Sequence, residues 1–338
     1  ISGCVDGRLR VNNRGWFRSS DTVLHEGEGP VHLVRWEGSL VAWANDYGIK
    51  LYDNVNNQRI SYIERPRPRM ESTRAFDVRA CRCRMFWEVP EKTLLVGWGD
   101  CWMVVQITTR TVTSNPTPGA SFVESQDVQA QVRCAEIIAL HYTQDYVISG
   151  ICAFGEDIAL LAYVPPEELH EEESSDEDDY IITVNDAAAI QRTNLVGGGA
   201  VAPSSVTAPP SARMRPSRPE LRIVDRRTGD QLSCDMLPVY GFARCGPNDY
   251  NLESDRAHSA VSRQRQMQHD RRNPLMEVDP LPSMYIVSPK DVVVASPRTV
   301  DDHIKWALEH DQYDQALMIA EHAEPPLSRD RMQNLAER

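Results

Sequence analysis

Residues 31–63 read VHLVRWEGSLVAWANDYGIKLYDNVNNQRISYI, and their turns decide the fold. Val31 to Trp36 is apolar and β-favouring, and Glu37-Gly38-Ser39 turns it. Leu40 to Ala44 follows, and Asn45-Asp46-Tyr47-Gly48 makes a second turn. Ile49 to Tyr52 comes next, Asp53 to Asn57 turns again, and Arg59 to Ile63 closes the group. β-Branched and aromatic runs broken by Gly, Asn and Asp favour short antiparallel strands joined by tight turns. The stretch therefore predicts a four-strand meander.

Working outward, the pattern returns. Cys83 to Val89, Thr93 to Val96, Trp102 to Ile107 and Arg110 to Thr113 read as a second set. Trp98-Gly99-Asp100-Cys101 stands where Trp43-Ala44-Asn45-Asp46 stood, 55 residues earlier. A third set reads as Val132 to Tyr142, Tyr146 to Ile151, Ile158 to Val164 and, after a long interruption, Leu221 to Val224. Met284 to Val287 and Val292 to Ala295 belong to a fourth. Repeats of about 50 residues, each a four-strand unit, point to propeller blades, with a β-sandwich or barrel as the alternative. The fold class read here is mainly β: a partial WD40-like β-propeller over residues 1–297, followed by the first helical hairpin of an α-solenoid over 298–338.

Two stretches do not fit blades. Residues 165–219 run from Pro-Pro through an acidic tract into Ala/Gly/Ser/Pro/Arg-rich sequence, and 254–280 are rich in Arg, Gln and Ser. Such compositions bury too little apolar area to offset ordering entropy, so both read as disordered inserts. After Pro297 the period changes. Thr299 to Asp302 supplies a capping box, and Asp301 and Asp302 favour a helix start. Ile304, Ala307 and Leu308, widened by Trp306, form one apolar stripe. Tyr313, Ala316, Leu317, Ile319 and Ala320 form another after the break at His310-Asp311-Gln312.

The chain has 338 residues, 41% of them hydrophobic, which is room for about two domains and a packed core. Mean hydropathy is −0.45. A net charge of −13 argues against a broad nucleic-acid surface, which needs clustered cations. The longest apolar runs, such as Ile158 to Val164, fall far short of the ~18 residues that span a bilayer. No signal peptide precedes the first strand-like residues, and a chain opening at Ile1 reads as a fragment. The eight cysteines lie mostly in apolar strand patterns, which fits buried thiols in a reducing compartment.

Chemical motifs are sparse. Gly97-Trp98-Gly99 lacks the third glycine and the helix of a dinucleotide loop. Gly197-Gly198-Gly199 lacks the Gly-Lys-Ser/Thr of a phosphate loop. His25-Glu26 and His170-Glu171 have Gly29 and Ser174 where a zinc protease places its second histidine. Cys81 and Cys83 have no second pair at zinc spacing, and His303 and His310 share a helix face without further ligands. We therefore expect no catalytic, cofactor-binding or metal residues, no cofactor, and no enzyme. In the acidic run 171–179, Ser174 and Ser175 each carry an acid three residues downstream, which makes them candidate phosphorylation sites.

Several blocks carry a family resemblance. Val23 to Gly29, Trp36 through Trp43-Ala44-Asn45, Gly48-Ile49-Lys50, Gln58-Arg59-Ile60, Val96 to Gly99, Tyr146 to Gly150, Tyr285 to Pro289 and Val292 to Ala295 resemble the vacuolar protein sorting-associated protein 41 family. So do Asp301 to Ile304, Tyr313, Ala316-Leu317 and Ala320-Glu321. These are subunits of the HOPS (homotypic fusion and vacuole protein sorting) tethering complex. The resemblance implies an N-terminal propeller, a clathrin-heavy-chain-like α-solenoid and a RING. Roughly the first half of the propeller, most of the solenoid and the RING would be missing here. It also implies a non-enzymatic role in tethering late endosomes, autophagosomes and lysosomes before fusion, and in Golgi-to-vacuole or Golgi-to-lysosome sorting. Implied partners are other HOPS subunits, Rab- and Arl-type small GTPases and an adaptor complex. Membrane contact would be peripheral, through those partners, on the cytosolic face of late endosomes, lysosomes or the vacuole and Golgi-derived vesicles, and in the cytosol. The inserts at 165–219 and 254–280 depart from the family pattern. Another propeller-plus-solenoid vesicle-coat subunit, or a propeller hydrolase, is the competing reading.

Overall fold

The computed structural model describes residues 1–14, 19–72, 76–88, 92–113, 129–168, 182–183, 213–255, 283–310 and 312–323. A first sheet holds β1 (Ser2–Gly3), β2 (Leu9–Arg14) and β3 (Ser19–His25). The second is the expected meander: β4 (Leu33–Glu37), β5 (Leu40–Ala44), β6 (Gly48–Asp53) and β7 (Gln58–Glu64), paired in that order. The third contains β8 (Arg84–Glu88), β9 (Thr93–Trp98), β10 (Cys101–Thr113) and β11 (Gln129–Tyr142). In the fourth, β12 (Val147–Phe154) and β13 (Asp157–Tyr163) come first. Short strands β14 (Glu167–Glu168), β15 (Ile182–Thr183) and β16 (Arg213–Arg215) intervene, and β17 (Glu220–Val224) and β18 (Gln231–Met236) complete the order β12-β13-β17-β18. β19 (Asn251–Ser254), β20 (Met284–Val287) and β21 (Val292–Ala295) form a three-stranded sheet.

The two-residue turns explain the meanders. β4 and β5 are joined across Gly38-Ser39 with Gly38 at φ 56°, and β9 and β10 across Gly99-Asp100 with Gly99 at φ 62°. Hairpins this tight need a positive φ that glycine adopts without strain.

Successive sheets pack on one another in chain order. Val41 and Trp43 of β5 meet Leu9 of the first sheet. Leu40, Ala42 and Ala44, on the opposite face of the same strand, meet Met85, Trp87, Leu94 and Val96 of the third. β12 of the fourth sheet packs on β8 and β9. A strand between two sheets buries both faces, which is why β5 and β9 are buried at every residue rather than alternately. A two-layer sandwich would bury one face only, and stacked four-stranded meanders are propeller blades.

The strand assignment needs corrections. Val132 to Tyr142 does not open the third set. It is the outer strand of the second set, paired with β10 from Cys101↔Tyr142 to Thr113↔Gln129. Trp102 to Ile107 and Arg110 to Thr113 are one strand, because Thr108 and Thr109 continue the ladder. Ile158 to Val164 does pair with Leu221 to Val224, and β18 supplies the fourth strand instead. Within the stretch read as a disordered insert, the described residues 167–168, 182–183 and 213–215 form the sheet β14-β16-β15. Most of both inserts lies outside the described residues.

The chain divides into two compact units, Ile1–Glu253 with Ile286–Val293, and Ser254–Tyr285 with Val294–Arg338. The second carries α1 (Val300–Glu309) and α2 (Tyr313–Glu321). Thr299 Oγ1 accepts from Asp302 N at 3.2 Å and Asp302 Oδ2 accepts from Thr299 N at 2.9 Å, which completes the expected box. Ile304 and Ala307 pack on Ala316 and Ala320. Trp306 and Tyr313 face outward instead of joining the stripe, and Trp306 stacks on His310 at 4.2 Å. Thr299→Ala is expected to destabilise α1 by about 1 kcal/mol. Faster amide exchange at residues 300–303 would report it, and unchanged exchange would refute it.

Candidate functional site

The residues singled out by motif take structural places. Gly97 lets the third and fourth sheets close, since a Cβ there would stand 2.5 Å from Ile148 Cγ2. His25 is buried beside Trp43, with Lys50 Nζ 3.4 Å from its Nδ1. Burial, helped by the Lys50 charge, lowers its pKa and so favours the uncharged ring. Burial pushes the Cys81 thiol up to about 12 and raises Cys83 as well, so neither is a thiolate. His310 Nδ1 lies 2.8 Å from the Trp306 carbonyl. Nothing here brings His25, Cys81, Cys83 or His310 into one site. Among the described residues no group of three or more His, Cys, Asp or Glu is placed to hold a metal. Ser174, Ser175, His170 and Gly197 to Gly199 lie outside the described residues.

Two kinds of polar feature escaped the motif search. The first is a set of ion pairs that bridge successive sheets, from the first to the fourth. Lys50 of β6 pairs with Glu28, which follows β3. Asp53, fully buried at the end of β6, pairs with Arg133 of β11 at 2.9 Å. Glu88 of β8 takes both terminal nitrogens of Arg226, which follows β17, one of them at 2.9 Å. Partners so far apart in sequence leave no local signal.

The second is the segment from Arg65 to Arg84, which links the second and third sheets. It holds seven arginines (65, 67, 69, 74, 79, 82 and 84) against Glu71 and Asp77. That is a local excess of five positive charges in a chain of net −13. The Arg65-Pro66-Arg67-Pro68-Arg69 alternation is legible in the sequence itself. Hydrogen bonds and stacking strap the segment down. Arg65 lies over the Trp98 ring at 4.9 Å and donates to the Arg79 carbonyl. Arg69 lies 3.7 Å over Tyr142. The Arg69 and Met70 amides both donate to Asp100 Oδ2 at 2.6 Å. Further along, Asn248 accepts from Arg82 N at 2.8 Å and donates to the Ala80 carbonyl at 3.0 Å. A recess of about 700 Å³ opens beside it, with Arg69, Glu71, Ser72, Asp77 and Arg79 in its lining.

Stacked four-stranded sheets and a strapped charged loop define the class: a WD40-like β-propeller chain whose surface chemistry lies in its loops. The family model described as Vps42 beta-propeller (Beta-prop_Vps41) matches residues 1–194, more than half of the chain. The chain belongs to this Vps41 β-propeller family. It is 34% identical over 326 residues to the vacuolar protein sorting-associated protein 41 homolog of Arabidopsis thaliana, covering 96% of this chain and 27% of that protein. The homolog of Solanum lycopersicum is 35% identical over 323 residues, with coverage of 95% and 28%. The Homo sapiens homolog is 29% identical over 328 residues, with coverage of 96% and 29%. The chain thus spans little more than a quarter of the length of these relatives. Among solved structures, the Neurospora crassa Pan2 WD40 domain aligns with 88% of this chain and 75% of its own at 11% identity. Its TM-score is 0.29.

Proposed function

We propose that the chain is the propeller-bearing part of a non-enzymatic scaffold subunit in vacuolar or lysosomal protein sorting, acting within a HOPS-type tethering complex. The observation that carries this is the family match over residues 1–194, joined by relatives named for vacuolar protein sorting that align with some 95% of the chain. The physical organisation supports it. Central strands buried on both faces and ion pairs bridging the first four sheets make a stiff platform for loops, and holding membranes together needs no bond-breaking chemistry. Partners on this reading are other HOPS subunits, Rab- and Arl-type GTPases and an adaptor complex. Attachment is peripheral, at late endosomes, lysosomes or the vacuole and Golgi-derived vesicles. No helix among the described residues is long and apolar enough to cross a membrane. Residues 1–297 would serve as propeller, with inserts at 165–219 and 254–280, and 298–338 as the start of an α-solenoid.

Affinity purification of the full-length product from its native cells tests the proposal. Co-recovery of other HOPS subunits is the expected result. A product that purifies without any of them would refute it.

A further inference from the structure

We propose that Ser296 is a phosphorylation site for a proline-directed serine/threonine kinase, on the link through which β21 leaves for α1. The inference concerns a modification of this chain itself and is independent of the sorting role.

The dipeptide Ser-Pro occurs twice, at Ser288-Pro289 and Ser296-Pro297, and the fold uses the two differently. Ser288 is buried, and its hydroxyl closes the β20–β21 turn. Its Oγ accepts from the amides of Lys290 at 3.3 Å and Asp291 at 3.1 Å and donates to the Asp291 carboxylate. A kinase can reach that oxygen only by breaking the turn. Ser296 is exposed. Its hydroxyl has one partner among the described residues, Ser283 Oγ at 3.1 Å, across the open end of the same hairpin.

The surrounding backbone suits a kinase cleft, which takes its substrate as an extended strand. β21 ends the order β19-β20-β21, so its outer edge pairs with no strand among the described residues. Residues 296–299 are neither strand nor helix, and Arg298 and Thr299 are exposed with Ser296. A residue before proline is pushed into extended conformations, and proline itself has no amide hydrogen to commit to a ladder or helix. Thr299, at φ −74° and ψ 164°, is extended as well. Ser283 and residues 294–299 all lie within the second unit. Thr299 offers a nearby hydroxyl, but its Oγ1 accepts from Asp302 N at 3.2 Å and lies 2.7 Å from Asp302 Oδ2, and no proline follows it.

In the reaction, Ser296 Oγ attacks the γ-phosphorus of ATP. The Oγ–P bond forms as the bond from that phosphorus to the β–γ bridging oxygen breaks. ADP leaves, and the hydroxyl proton passes to the kinase's catalytic base. The product carries about −1.5 to −2 charge at neutral pH. Ser296 is tied to another hydroxyl and not to the core, so the phosphate can stand in solvent. The dipole of α1 favours negative charge ahead of its first turn, whereas Asp301 and Asp302 oppose it. The modification therefore changes the surface of the link and leaves the fold in place.

Incubating the folded full chain with magnesium-ATP and a purified mitogen-activated protein kinase, followed by trypsin and mass spectrometry, tests the site. Labelling of myelin basic protein in the same tube shows that the kinase is active. Cleavage after Lys290 and Arg298 releases residues 291–298, DVVVASPR, in which Ser296 is the sole hydroxyl. The expected result is one phosphate on that fragment and none on Ser288 in the fragment 273–290. S296A and P297A should each abolish the label, and the wild-type reading stands whether or not either variant folds. The phosphorylated chain should melt within about 2 °C of the unmodified one. No phosphate on 291–298, equal labelling of Ser288, or a label that survives P297A would each overturn the proposal. A larger fall in melting temperature would overturn the claim that only the surface changes. None of these outcomes bears on the HOPS co-purification result, and that result does not bear on them.

Discussion

Asp53→Ala is expected to lower stability by about 3–5 kcal/mol, the range for stranding one member of a buried ion pair. Its carboxylate is fully buried, pairs with Arg133 at 2.9 Å, and accepts from the amides of Val55 at 3.0 Å and Asn56 at 3.2 Å and from Asn56 Nδ2 at 2.7 Å. Removing it leaves a guanidinium between the second and third sheets and frees the turn after β6. Burial works against the charge, yet the bonds from Asn56 and Val55 and the Arg133 charge outweigh it. The carboxyl is held below its ordinary value of 3.8. Because the folded pKa is depressed, this stabilisation is present above about pH 4 and fades as pH falls through the folded value. Urea midpoints measured at pH 7 and across pH 5 to 2 check both points. A loss under about 1 kcal/mol at pH 7, or an acid limb unchanged in Asp53→Asn, would contradict the account.

Trp87→Ala should produce a comparable loss, about 3–5 kcal/mol. The indole is 2% exposed within the cluster that joins the second and third sheets, and its Nε1–H donates to the Arg35 carbonyl at 3.3 Å. Truncation opens a void that Leu40 and Leu94 cannot close from opposite sheets, and it strands that carbonyl. Trp87→Phe restores most of the volume without the donor and should recover more than half of the loss in a urea titration. Equal losses for the two variants would mean that the hydrogen bond, not packing, dominates.

The second sheet could be read directly because its turns are local. Gly38 at φ 56° and Asn57 at φ 50° punctuate strands whose apolar residues lie close together. The third sheet was read in part. Thr108 and Thr109 look like a polar break but favour extended backbone, so β10 runs on through Thr113. Nothing local says that β11 returns to β10 rather than opening the next blade, because residues 114–128 separate them. β18 is exposed at every position and so shows no apolar alternation. The first sheet's β2 and β3 are rich in Asn, Ser and Asp, and only the strand-like start was visible. Asp53 was recognised as a turn residue, which it is. Its second role, against Arg133, depends on two blades meeting and has no trace in spacing. The arginine segment was visible in composition alone, but its straps to Trp98 and Tyr142 were not.

β13 and β17 lie side by side, from Ile158↔Val224 to Ala162↔Glu220, although residues 164–219 separate them. Closing a connection costs free energy that rises only with the logarithm of its length, about 0.6 kcal/mol per doubling. Lineages can therefore lengthen or shorten this stretch with almost no selection against them on grounds of stability. A one-residue indel inside β13 is another matter. Each of its side chains would exchange the neighbour it was chosen to meet, so genetic drift in size is confined to the connection and excluded from the strand.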